Sequence, residues 1–198
     1  MHLKIVLATI IFLFLFDLTH AQKRRRSHRR KSDTYIGVKV GANVATIGGD
    51  AEGLNPRIST FSGAYIGTEV SESFHLLGEL VLSSQGAKIA GSDITLVYLY
   101  LNLPLVARGY TGKFFFEGGL QPGALLSARA RNGNNSRGFG SDLRTFDFAV
   151  LGGIGYDFGK VDFNLRYNLG IISTSVVQEF SSMTFPNRVL QISLSSRF

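Results

Sequence analysis

Beyond residue 32, the groups able to do acid–base or metal chemistry are few and scattered. His75 is the single histidine there, because His2, His20 and His28 precede it, and the chain has no cysteine. A thiol nucleophile, a thiolate metal site and a disulfide framework are therefore excluded. A serine triad would need His75 beside Ser73 or Ser83 and an acid such as Asp93, and no spacing singles these residues out. Carboxylates are dispersed and no histidines cluster, so the pattern predicts no metal site. Gly48-Gly49-Asp50 and Asn132-Gly133-Asn134-Asn135 read as loop tips and not as phosphate cradles, since no strand-to-helix unit follows either. The residues imply no cofactor and no enzyme.

What the spacing does offer is charge at alternate positions of apolar segments. Lys39, Glu69, Glu79, Arg108, Glu117, Arg129, Asp147, Asp162, Arg166 and Arg197 fall opposite the apolar positions of their segments, five of each sign. Side chains along a strand alternate between two faces, so these ten are expected on one face together. Charges gathered in a narrow, low-dielectric space are tolerable only when paired and hydrogen-bonded. The expectation is an ion-pair network that fills an interior.

Eight segments carry this alternation: Asp33–Ile47, Arg57–Val70, Phe74–Ser84, Ile94–Tyr110, Lys113–Arg129, Leu143–Asp157, Lys160–Ser173 and Asn187–Phe198. In the seventh, Val161, Phe163, Leu165, Tyr167 and Leu169 oppose Asp162, Asn164, Arg166 and Asn168. In the eighth, Leu190, Ile192, Leu194 and Phe198 oppose Gln191, Ser193, Ser195 and Arg197. In the fifth, Phe114, Phe116, Leu120, Ala124 and Leu126 oppose Glu117, Gln121, Ser127 and Arg129. The joins alternate long and short. Ser71–Ser73, Thr111–Gly112 and Phe158–Gly159 are short, whereas Gly48–Pro56, Gln85–Asp93, Ala130–Asp142 and Thr174–Pro186 are long and rich in turn residues. Short turns at one end and long loops at the other are the pattern of a transmembrane β-barrel. The predicted fold is all-β, an eight-stranded antiparallel up-and-down barrel.

Residues 1–21 read as a secretory signal peptide: Lys4, an apolar run from Ile5 to Phe16, and cleavage after Ala21 in Thr19-His20-Ala21. A run of twelve residues is too short to span a bilayer as a helix, which needs about twenty. Residues 22–32 form a basic tail in which Lys23, Arg24, Arg25, Arg26, Arg29, Arg30 and Lys31 supply seven positive charges, the whole formal excess of +7. From Ser32 onward thirteen basic and thirteen acidic residues balance, which removes the nucleic-acid reading and leaves residues 33–198 as a neutral domain. The tail reads either as a solvated, disordered arm or as a binder of an anionic envelope polymer through Coulomb attraction.

Three short stretches carry a family resemblance. The run Tyr98-Leu99-Tyr100-Leu101-Asn102-Leu103-Pro104-Leu105-Val106-Ala107-Arg108 resembles the fourth-strand motif of the PorT-like outer-membrane β-barrel family. Gly118-Gly119-Leu120-Gln121-Pro122-Gly123-Ala124-Leu125-Leu126-Ser127-Ala128-Arg129 resembles that family's fifth strand, and residues 146–156 its sixth. The resemblance spans residues 33–198 and implies an eight-stranded barrel in an outer membrane, with no shared biochemical activity. Phe198, ending an alternating strand, resembles the C-terminal assembly signal of such barrels.

Three functions remain open on the residues alone. The first is a small outer-membrane barrel with a filled lumen, structural or binding a surface partner through its loops. The others are a soluble exported lipocalin-like carrier and a membrane-embedded lipid-modifying enzyme, which would need a catalytic constellation that these residues do not offer, with a narrow porin-like solute pathway as a variant of the first. An interior of eight strands is only wide enough for side chains to fill, so recognition is expected in the loops. Arg131, Asn132, Asn134, Asn135, Arg137 and Phe139 combine cationic, hydrogen-bonding and aromatic groups suited to an extracellular glycan or protein. Outer-membrane lipid is the other expected partner. The face that the ten charges occupy decides between carrier and membrane barrel.

Overall fold

The computed structural model describes residues 33–47, 54–133, 135–138, 146–171 and 187–198. All of them belong to one unit, Ser32–Phe198, the other being Met1–Lys31. The expected signal peptide and basic tail, the loop tip Gly48-Gly49-Asp50 and the fourth long join Thr174–Pro186 lie outside the described residues.

Ten antiparallel strands run in chain order: β1 (Thr34–Ile47), β2 (Leu54–Ser71), β3 (Phe74–Ile89), β4 (Ile94–Asn102), β5 (Leu105–Thr111), β6 (Phe114–Asn132), β7 (Asn135–Gly138), β8 (Phe146–Asp157), β9 (Val161–Gly170) and β10 (Asn187–Arg197). Ten replace the expected eight for two reasons. Proline has no N–H to give a ladder, and Leu103-Pro104 splits one predicted strand into β4 and β5, both of which lie between β3 and β6. The gap is bridged by Leu103 N–H donating to Pro122 O at 2.8 Å and Glu79 N–H to Pro104 O at 2.9 Å. The second reason is β7, which folds back on the far end of β6 in the stretch expected to be loop. The ring closes where β1 pairs both β2 and β10, so nine strands make eight closed staves and β7 is attached to β6 alone.

Two expected loops are thus largely wall. The join predicted at Gln85–Asp93 shrinks to residues 90–93, and Ala130–Asn132 and Asn135–Gly138 are strand. The β6–β7 turn is the Asn132-Gly133 corner, where Gly133 takes φ +55°, a conformation L side chains resist.

The faces sort as the alternation predicts, with one local exception described below. Asp162, Asn164, Arg166 and Asn168 on β9, and Gln191, Ser193 and Ser195 on β10, are buried inside the ring. Val161, Phe163, Tyr167, Leu190, Ile192 and Leu194 stand outside and exposed. The outer face is apolar all round: Val38 and Val40, Leu76, Leu80 and Leu82, Phe114, Phe116 and Leu120, with Phe116 60% exposed. A soluble protein does not expose an apolar surface of this extent, and a carrier of the lipocalin kind would turn its charges outward. Along β10 the belt runs from Arg188 to Phe198; ten steps of about 3.3 Å at a tilt of about 45° give roughly 23 Å, the height of the apolar band in such barrels. Among the described residues no helix is long and apolar enough to cross a membrane.

Candidate functional site

The short-turn half of the interior holds a single chain of six charges. Lys39 Nζ donates to Glu79 Oε1 at 2.8 Å. Arg166 grips both oxygens of Glu79, at 2.8 and 2.9 Å, and its Nε reaches Glu117 Oε1 at 2.6 Å. Glu117 Oε2 accepts from Arg108 at 3.1 Å, and Arg108 donates to Asp162 Oδ2 at 3.1 Å while its guanidinium lies 4.0 Å from the centre of the Phe115 ring. Three cations alternate with three carboxylates and the sum is zero. Arg108 and Arg166 are only 1% and 2% exposed. Burying a charge costs several kcal/mol unless good geometry and multiple hydrogen bonds offset it, and forked guanidinium–carboxylate contacts supply that geometry.

Strand register explains how distant residues meet. Arg108 stands directly opposite Glu117 across β5 and β6, and Glu117, Gly153 and Arg166 form one row across β6, β8 and β9. Gly153 is the enabling residue. A Cβ there would lie 3.1 Å from Glu117 Oε1 and 2.8 Å from Leu165 O, in the path by which Arg166 reaches over the β8 stave.

Toward the long-loop end the filling is uncharged apart from Asp147. Gln191 donates to Asn43, Asn43 to Ser83, and Gln85 to Ser83, at 2.9, 3.0 and 3.3 Å. Above them Tyr98, Tyr100, Leu125 and Ala128 form an apolar cluster with Ala87. Asn168, Ser193 and Ser195 keep buried polar atoms without a protein partner among the described residues, groups that internal water satisfies in folded proteins.

Six of the ten candidate network residues, Lys39, Glu79, Arg108, Glu117, Asp162 and Arg166, come together. Arg197 pairs instead with Asp157 at 2.8 Å, half-buried at the short-turn end. Asp147 is buried but separate, accepting from Asn187 at 3.4 Å and from its neighbour's Phe148 N–H at 2.9 Å. Glu69 lies 3.9 Å from His75. Arg129 is the correction: it is exposed on the outer face and not in the lumen. The cause is a bulge at Leu126. Leu99 pairs Ser127 while Tyr100 pairs Leu125, so one extra residue inverts the alternation and sends Ser127, Arg129 and Arg131 outward. The adjacent pair Leu125-Leu126, with alternation resuming out of phase at Ala128, is the signal in the sequence that marks it.

His75 sits just past a short turn. Its Nδ1 lies 3.0 Å from the Tyr35 hydroxyl and its ring 4.5 Å from that of Tyr110. Ser83, eight residues further along β3, bonds to Asn43 and Gln85, and Asp93 is in the β3–β4 turn, so the triad partners are not assembled.

The loop candidates divide between two faces. Directly paired residues share a side, so Asn132 and Asn135, and Ala130 and Arg137, face the mouth of the ring, whereas Arg131 and Ser136 face outward. A shallow recess of about 270 Å³ lies along this hairpin; Arg131 and Ser136 border it as well as Ile94, Ala130, Asn132, Asn135 and Arg137, so residues of both faces meet at this rim. Asn134 and Phe139 lie outside the described residues.

Known structures share this architecture. The attachment invasion locus protein Ail of Yersinia pestis superposes with a TM-score of 0.55 at 12% identity, covering 84% of this chain and 99% of its own. Neisserial surface protein A superposes with a TM-score of 0.54 at 11% identity, covering 85% of this chain and all of its own. Ail in complex with the heparin analogue sucrose octasulfate matches with a TM-score of 0.50 at 12% identity, over 84% of this chain and 99% of its own. At these identities the likeness speaks to the fold. Among curated proteins no match is found. The sequence itself goes further, because residues 20–176 match the family model of the outer membrane protein beta-barrel domain. A closed ring with an apolar exterior agrees with that description, and the chain is a member of the outer membrane protein beta-barrel domain family, resident in the outer membrane.

Proposed function

We propose that this barrel is a rigid stand, sealed by its own side chains, that presents the β6–β7 hairpin to an anionic extracellular partner. One observation carries the reading: the lumen cations are consumed by internal pairing, while Arg137 is exposed beside Asn132 and Asn135 at the rim recess. A guanidinium flanked by amides is suited to sulfate or carboxylate on a sugar. The Ail structure that holds sucrose octasulfate supports an anionic glycan as the class of ligand on such a scaffold. Within its family the chain is assigned to the PorT-like group on the stretch Tyr98–Arg108 and the Gly-rich strand after it.

The test is binding of a sulfated oligosaccharide to the barrel in lipid nanodiscs. Arg137→Gln should weaken binding roughly tenfold, the loss of one charge-assisted contact, while an uncharged oligosaccharide should not bind. Equal binding by Arg137→Gln and the unaltered protein, or no preference for the sulfated sugar, would overturn the assignment.

A further inference from the structure

The bulge that turns Arg129 outward also builds a surface for a different ligand. Above Leu126 the register aligns Lys88 on β3, Thr95 on β4, Arg131 on β6 and Ser136 on β7 in one row across four strands. The row below it aligns Val97, Arg129 and Gly138. With strands about 4.8 Å apart and residues about 3.3 Å apart along each, Lys88 and Arg131 flank Thr95 at roughly 10 Å, and Arg129 lies roughly 7 Å beneath Arg131. All three cations are exposed, and among the described residues neither row contains an acidic side chain. None of the three takes part in an ion pair among the described residues, in contrast to the cations of the lumen.

Height identifies what meets them. The same outer face continues downward into Leu126, 54% exposed, and Leu82, 43% exposed, the upper edge of the apolar belt that acyl chains cover. A group lying over Arg129 is then at headgroup depth on the long-loop side, the outer leaflet. We propose that Lys88, Arg129 and Arg131, with the Thr95 and Ser136 hydroxyls between them, bind the phosphate groups of an outer-leaflet glycolipid. Phosphate complements the uncompensated charge, and the belt beneath supplies the site for the tails. Arg131 and Ser136 also border the rim recess beside Arg137, whereas Lys88, Thr95 and Arg129 lie outside it, so the row extends beyond the surface of the glycan reading.

The test reconstitutes the full barrel in phosphatidylcholine vesicles with a minority of a bisphosphorylated glycolipid, extracts it in mild detergent, and counts retained glycolipid by mass spectrometry of the intact complex. The unaltered barrel should retain the phosphorylated lipid in preference to its dephosphorylated form. K88Q/R129Q/R131Q, three exposed changes, should retain it roughly a hundredfold less, at the usual contribution of surface cations to anionic-lipid binding. K113Q, which removes an exposed cation at the opposite, short-turn end, should retain it like the unaltered barrel. Equal retention by the triple variant, or equal retention of the dephosphorylated lipid, would overturn the proposal. Inorganic phosphate alone should not bind measurably; binding as tight as that of the lipid would overturn the lipid assignment.

Discussion

Arg166→Met removes the centre of the charge chain. The guanidinium makes three short contacts, 2.8 and 2.9 Å to Glu79 and 2.6 Å to Glu117. Charge-assisted hydrogen bonds contribute about 1.5–3 kcal/mol each, so the gross loss is roughly 5–9 kcal/mol. Two partners remain, because Lys39 still holds Glu79 at 2.8 Å and Arg108 still holds Glu117 at 3.1 Å. The net expectation is therefore about 3–5 kcal/mol, the usual consequence of leaving a buried charge uncompensated. Arg166→Met/Glu117→Gln restores neutrality and leaves Lys39–Glu79 and Arg108–Asp162 as intact pairs, so it should recover most of that loss. Urea unfolding in lipid vesicles, followed by heat-modifiable gel mobility, measures both. A single variant within about 0.5 kcal/mol of the unaltered barrel, as for an ordinary surface change, would refute the buried network. So would a double variant no more stable than the single one.

Gly153→Val should also be strongly destabilising, because its Cβ alone meets Leu165 O and Glu117 Oε1; the same titration should show a loss of at least about 2 kcal/mol, and an unchanged midpoint would contradict the role given to this glycine. Leu165→Arg, level with Ile192 at mid-belt, should lose about 2–4 kcal/mol in vesicles, whereas Asn164→Ser on the lumen side should lose less; equal losses would mean that the faces are misassigned. Deleting Asn132–Gly138 should leave heat-modifiable folding intact, since the hairpin stands beyond the ring that β8 completes against β6; failure to fold would show that the hairpin is part of the barrel's own stability. Mass spectrometry of the mature protein should give Gln22 as its first residue, and retention of Met1–Ala21 would contradict the signal-peptide reading.

Much of this architecture is legible in the sequence because one physical constraint repeats it. Each stave has a lipid side and a lumen side, so a period of two runs unbroken from Val161 to Leu169 and from Leu190 to Leu194, and the inward charges follow from it. Sequence reading fails where the period slips or the chain continues past the belt. The extra residue at Leu126 reverses Arg129 and Arg131. Gln85 and Ala87 look like loop because Gly86 and two serines surround them, yet both are buried above the polar lumen, Ala87 within the tyrosine cluster. Pro104 reads as mid-strand, although the ladder there must be bridged by neighbouring backbone groups. Pairing partners are legible least of all. Nothing in the spacing of residues 39, 79, 108, 117, 162 and 166 joins them, because that depends on the stagger of the ring and on the space left by Gly153.

Planar-bilayer recording of the unaltered barrel tests the sealed stand most directly. Six mutually paired charges across the lumen, with the tyrosine cluster above them, predict a silent bilayer into which the folded protein inserts without conductance steps. Stable, ohmic steps from the same heat-modifiable protein would contradict it, and would move the function from the rim into the lumen.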